Sequence, residues 1–243
     1  MLEAVPKFQP IDAPDTRRRP QPEEGPLSIV YGDEVMLVLD KPAGVVVHPT
    51  YKNTSGTLLN AVLWRLRDRG DLQPGILTRL DKDTSGLVVI ALGAKVHAAM
   101  QRDGVAGRIT KEYLAFVHGT PDPPSGRILL PLARDTADRR RVVATPDGAA
   151  CETGYELLLS RDGWSVVRCT LVTGRTHQIR VHLASSGWPI VGDAVYGRPD
   201  PRVTRQALHA ARITLPHPLT RESRTFESPL PAELMRLIDA PTA

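Results

Sequence analysis

The chain has 243 residues and a formal net charge of +4, long enough to bury a full core as one large domain or two small ones. Its only cysteines, Cys151 and Cys169, argue against a disulfide scaffold and against a cysteine-built zinc site. No apolar run approaches the ~18 residues of a membrane-spanning helix and the polar, Pro-rich start is unlike a signal peptide, so a soluble cytoplasmic protein is expected.

Residues 1–26 are rich in proline and charge and poor in aliphatic side chains, including Arg17, Arg18 and Arg19. They are expected to form a disordered tail, with the folded part spanning 27–243. SIVYGDEVMLVLDKPAG, from Ser28, holds two apolar runs around Gly-Asp-Glu and predicts paired strands ending in a turn. VVVHP (45–49) is a further short apolar run. From Thr57 to Gly70, Leu58, Leu59, Val62, Leu63 and Leu66 recur at helical spacing, with Thr57 as cap.

GLVVIALG (86–93) predicts a buried strand, and a short helix follows over 94–102. EYLAFVHG (112–119) alternates as a strand does, and 155–172 predicts a hairpin turning at Asp162-Gly163. Thr176 to Ser186 predicts a helix, and ALHAARITL (207–215) another strand. Strands arriving in hairpins with few helices predict an α+β fold, with a mixed, largely antiparallel sheet. No glycine-rich phosphate fingerprint is present, which counts against an ATPase or a dinucleotide enzyme.

TRLDKDTSG (78–86) sets Arg79, Asp81, Lys82 and Asp83 at the mouth of the predicted buried strand. In extended backbone Arg79, Asp81 and Asp83 would line one side and Leu80 the other. An arginine beside a carboxylate favours its charged form, which suits a nucleophile or a base. A solvated loop fits the same residues. So does an Asp81/Asp83 pair holding a divalent ion, although the flanking cations oppose it.

In TGRTHQIRVHLASSG (173–187), Arg175 stands just before a helix start open to an anion, with His177 and Arg180 on one face. His177 and His182 are five apart, the wrong spacing for two zinc ligands on one helix. Tyr113, within KEYLAFVHG, suits either a half-buried sheet position or a stacking platform for a base.

Together and in this order, LDKPAGVVVHP, RLDKDTSGLVVIA, KEYLAFVHG, TGRTHQIRVHLASSGWPIVGDAVYG and ALHAARITLPHP closely resemble the RluA-type pseudouridine synthases. The resemblance implies that family's catalytic-domain fold and the isomerisation of uridine in structured RNA. The substrate would be ribosomal RNA, with the large subunit ahead, or transfer RNA. It implies Asp81 as the essential catalytic residue, Tyr113 stacking on the target base and Arg180 pairing with Asp81. Arg79 would fill the gap left by the displaced uridine. No metal or nucleotide cofactor is implied, and a monomer is expected. Thr78 departs from the His that many members carry before RLD, and the 26-residue tail is too short for the S4-type RNA-binding module that members often carry. Two competing readings are an idle RNA-binding or RNA-folding factor on the same scaffold, and a metal-dependent transferase using Asp81 and Asp83. Retention of Asp81, Tyr113 and Arg180 together speaks against the first, and the second requires sensitivity to EDTA.

Overall fold

The computed structural model describes residues 20–50, 53–70, 72–138, 140–171 and 173–239. In chain order these form β1 (Ile29–Gly32), β2 (Met36–Lys41), α1 (Leu58–Leu66), β3 (Pro74–Ile76), β4 (Ser85–Leu92), α2 (Ala94–Val105), β5 (Thr110–His118) and β6 (Ser125–Ile128). Then come β7 (Leu132–Arg134), β8 (Val142–Ala144), β9 (Thr153–Arg161), β10 (Trp164–Leu171), α3 (Gln178–Ser185), β11 (Leu208–Pro216), β12 (Ser223–Glu227) and α4 (Ala232–Asp239).

One sheet runs in the order β1–β2–β4–β11–β5–β10–β9–β6, with β3 added to β4 and β12 to β11; β7 and β8 form a separate ribbon. All these pairings but one are antiparallel, both between consecutive strands such as β1–β2 and β9–β10 and between strands distant in sequence such as β2–β4 and β5–β11. The exception joins the two halves of the sheet, where β4 and β11 run parallel at Ser85–His209 and Gly86–Ala210. Gly86 makes that seam possible: its φ is +110°, and a Cβ there would lie 2.2 Å from the Ala210 carbonyl oxygen.

Every residue of β4 is buried, because the strand is covered on both faces. Val88, Ile90 and Leu92 face a core shared with α1, Ile179 and Leu183 of α3, and Leu234 and Leu237 of α4. Leu87, Val89 and Ala91 face the opposite core, with Met36, Val38 and Met100 of α2. Fully burying one such aliphatic side chain stabilises the fold by about 1.5–3 kcal/mol. Cys151 and Cys169 are both buried, and burial pushes the Cys169 thiol up to about 12.

Several boundaries differ from expectation. α1 starts as predicted, with Thr57 and Asn60 forming a reciprocal capping box, but stops at Leu66. VVVHP forms no strand; the Val46 and Val47 carbonyls instead accept the first amides of α1, from Leu58 and Leu59. The end of the presumed tail is tied down, since Glu23 N–H donates to the Asn60 carbonyl and Glu23 Oε2 accepts from Gly56 N–H. Residues 1–19 lie outside the described residues. No helix among the described residues is long and apolar enough to cross a membrane.

Candidate active site

Asp81 sits just before β4, in a turn that Thr84 N–H closes on the Asp81 carbonyl at 3.2 Å. That turn ends the extended run. Lys82 and Asp83 occupy its corners, so Asp83 does not continue the face shared by Arg79 and Asp81. Leu80 points into the core, as the alternation predicts.

The turn is held from three sides. Lys41, wholly buried, donates from Nζ to the carbonyls of Pro42, Val45 and Lys82 at 2.8, 2.9 and 2.9 Å. Burial draws its pKa down to about 8. Arg205 donates to the Asp83 carbonyl and to Ser85 Oγ, and its Nε donates to Glu233 of α4 at 2.8 Å. His209 Nε2 donates to the Ser228 carbonyl, which leaves Nδ1 to accept the Ser85 hydroxyl proton at 2.9 Å. The Asp81 backbone is therefore fixed by buried donors and by the sheet seam.

α3 supplies the opposite wall. It begins at Gln178, two residues later than predicted, because His177 adopts a left-handed conformation (φ 55°, ψ 14°). A non-glycine residue held there costs of order 1–3 kcal/mol, and such strain gathers at functional sites. The Gln178 side chain fixes the preceding loop, accepting from Thr173 Oγ1 and Arg175 N–H and donating to the Glu152 carbonyl and Thr153 Oγ1.

From α3, Arg180 reaches Asp81: Nη1 lies 2.9 Å from Asp81 Oδ2. Its other edge is clamped by Asp193, with Nε to Oδ2 at 2.7 Å and Nη2 to Oδ1 at 2.9 Å. Both partners of the clamp are buried. Burial opposes the charge on Arg180, but the Asp193 hydrogen bonds and charge, and then Asp81, raise its pKa above the usual guanidinium value. Burial likewise opposes the Asp193 anion, yet Arg180 and the amides of Val195 and Tyr196 hold its pKa low. Gly192, just before Asp193, has φ +72°, and a Cβ there would fall 2.3 Å from the Arg205 carbonyl oxygen.

A second chain of contacts ends at the same oxygen. Val142 N–H donates to Tyr196 Oη at 2.8 Å, and Tyr196 Oη meets His177 Nδ1 at 2.8 Å. With one phenolic proton to place, Tyr196 donates to Nδ1, so His177 carries its proton on Nε2. That nitrogen is 3.9 Å from Asp81 Oδ2. Burial, outweighing Asp81, lowers the His177 pKa. The Tyr196 ring also lies beneath the guanidinium of Arg180 at 5.1 Å.

These groups open on a cavity of about 520 Å³ lined by Arg79, Asp81, Tyr113, His177 and Arg180, among others, a volume typical of small-ligand sites (~300–1,000 Å³). Tyr113 is buried yet lines the cavity, and burial together with the Asp81 charge raises its phenol pKa. Arg79 is exposed at the rim. Thr78 also lines the cavity, with its hydroxyl accepting the Val89 amide at 2.9 Å. The departure at Thr78 thus serves the β4 ladder.

Residues 35–185 match the sequence profile described as RNA pseudouridylate synthase. The chain belongs to the RNA pseudouridine synthase family. It is 40% identical over 221 residues to the RNA pseudouridine synthase YlyB of Bacillus subtilis, covering 88% of this chain and 72% of that one. It is 47% identical over 200 residues to an RNA pseudouridine synthase of Chloroflexus aurantiacus, covering 80% of this chain and 63% of that one. The ribosomal large subunit pseudouridine synthase D of Nitrosomonas europaea is 40% identical over 230 residues, covering 90% and 67%. Among solved structures, human RNA pseudouridylate synthase domain containing 1 superposes with a TM-score of 0.67 at 28% identity, covering 85% of this chain and 86% of that one. The fold is therefore the α+β pseudouridine synthase fold expected from the sequence.

The structure brings Arg79, Asp81, Tyr113 and Arg180 to one cavity and makes the Asp81–Arg180 pair. Sequence reasoning missed Asp193 and Tyr196, which lie beyond α3 in GDAVYG. It also weighed His177 only as a metal ligand and a helix-face residue. An aspartate and a tyrosine close behind a run of basic residues were the available signal.

Proposed function

We propose that this RNA pseudouridine synthase isomerises a uridine of large-subunit ribosomal RNA, with Asp81 as the catalytic carboxylate. The observation that carries the reading is the pairing of Asp81 Oδ2 with Arg180 Nη1 at 2.9 Å, with the carboxylate facing the cavity that Tyr113 lines. The name carried by the Nitrosomonas relative, ribosomal large subunit pseudouridine synthase D, supports that choice of RNA.

A base stacked in RNA is out of reach, so the uridine must leave the stack, at a cost of a few kcal/mol in lost stacking and pairing. Tyr113 gives the everted uracil a face to lie against, and Arg79 at the rim occupies the space it vacates. Asp81 then acts on the sugar, either by attacking C1′ or by taking the C2′ proton. The bond from C1′ to N1 breaks, the uracil turns, and C1′ bonds to C5. C5 gives up its hydrogen as a proton and N1 finishes protonated, so the product is an isomer of the substrate. Arg180 holds the carboxylate aimed at the sugar, and is itself fixed by Asp193.

Mapping pseudouridines in total RNA from a strain lacking this gene against its parent tests the assignment. Loss of a pseudouridine from large-subunit ribosomal RNA is expected. A loss confined to transfer RNA would overturn the substrate assignment.

A further inference from the structure

The cavity carries a cation that the chemistry above leaves unused. Lys111 precedes Tyr113 by two positions on β5, so both side chains leave the strand on one face, and both line the cavity. Lys111 is half-buried, and among the described residues no ion pair or hydrogen bond of its side chain is present. Arg180, by contrast, is met by two carboxylates. Burial lowers the Lys111 pKa with no neighbouring carboxylate to offset it.

The space around the amine is kept open. A Cβ on Gly174 would sit 3.4 Å from Lys111 Nζ, so the bare glycine leaves one approach to the ammonium clear. The next residue, Arg175, is exposed, lines the same cavity and shows no carboxylate partner among the described residues. A cation partly withdrawn from water without a counter-ion is unfavourable until an anion reaches it from outside. The anion that RNA brings is phosphate, and an ammonium on a flexible stem binds phosphate as a point charge.

Resting on the uridine-isomerase reading, we infer that Lys111, with Arg175 at the rim, binds the backbone phosphate adjoining the everted uridine. The base lies on Tyr113 while its phosphodiester is held about 7 Å away along the same strand face. Lys111 thus acts in binding and registers the nucleotide over Asp81; Asp81 and Arg180 keep the chemistry.

The test uses an RNA stem-loop carrying the mapped target uridine, in which each phosphate flanking that uridine is replaced in turn by an uncharged methylphosphonate. Wild type, Lys111→Met and Lys111→Arg are compared for affinity, KM and kcat. Lys111→Met should raise KM by about ten-fold, the loss of one charged hydrogen bond, while kcat moves less. It should also flatten the slope of log affinity against log salt by about one unit, and Lys111→Arg should restore most of the affinity. One methylphosphonate should weaken wild type by about the same ten-fold yet leave Lys111→Met nearly unaffected. Independent, multiplying losses overturn the subsite while wild-type turnover leaves the isomerase reading intact. If wild type tolerates a methylphosphonate at every flanking position, the subsite falls whether or not the variants fold. A wild type that forms no pseudouridine in any RNA overturns both readings.

Discussion

Asp193 accepts two hydrogen bonds from Arg180, at 2.7 and 2.9 Å, and thereby leaves a single guanidinium nitrogen free to meet Asp81. The clamp aims the arginine. Asp193→Ala leaves the buried guanidinium with Asp81 as its one carboxylate and two N–H edges unpaired, and should cost about 3–5 kcal/mol of stability. Asp193→Asn keeps the shape but loses the charge, and should fold while kcat falls at least about ten-fold, the equivalent of 1.4 kcal/mol in the barrier. Denaturation curves and single-turnover rates check both. Wild-type turnover in Asp193→Asn would show that the clamp does not aim Arg180.

Tyr196 links the β7–β8 ribbon to the α3 wall of the cavity, since one hydroxyl serves both Val142 N–H and His177 Nδ1. Tyr196→Phe strands both partners, at about 1–3 kcal/mol, and frees the His177 ring to turn away from Asp81. Turnover should slow several-fold in Tyr196→Phe and in His177→Gln. The double variant should be little worse than either alone, because the two residues act as one unit. Losses that multiply in the double variant would show that they act separately.

Lys41 makes stability depend on pH in the alkaline range. Its folded pKa of about 8 lies below the ordinary 10.5. Between those values the unfolded chain binds more protons than the folded one, so stability rises with pH across that window. Below pH 8 the amine is charged in both states and the burial penalty is fully present. The stability of wild type minus that of Lys41→Met should therefore grow between pH 8 and 10.5, by up to about 3 kcal/mol at 1.36 kcal/mol per pKa unit. Urea titrations at stepped pH give this difference, and a flat difference would mean that the buried amine keeps its proton throughout. At pH 7, Lys41→Met leaves the Pro42 and Val45 carbonyls without their donor and the Lys82 carbonyl with Gly44 N–H alone, and should be the less stable protein.

Much of the fold was legible because it rests on local signals. Asp162-Gly163 set the β9–β10 hairpin, Thr57 set the start of α1, and the uncharged run after Gly86 gave β4. Short strands such as β6, β7 and β8 carry too few residues to show a period, and were not anticipated. The start of α3 was misplaced because His177, left-handed and bonded to Tyr196 nineteen residues away, breaks the helix there. Asp83 was given a shared face with Asp81 on the assumption that the strand continued, whereas buried donors from Lys41 and Arg205 bend the chain there. Spacing within a segment can suggest a candidate carboxylate. It does not show which carboxylate beyond the helix, here Asp193 thirteen residues after Arg180, folds back to hold the arginine from its other edge.

Asp81 is the group proposed to perform the isomerisation. Tritium released from C5-labelled uridine in RNA counts each turnover, because C5 loses its hydrogen when it bonds to C1′. Wild type should release tritium, in EDTA as well wherever the RNA stays folded. Asp81→Asn, nearly isosteric and still able to accept from Arg180, should release none above background. Undiminished release by Asp81→Asn would mean that the Asp81 carboxylate takes no part in the reaction.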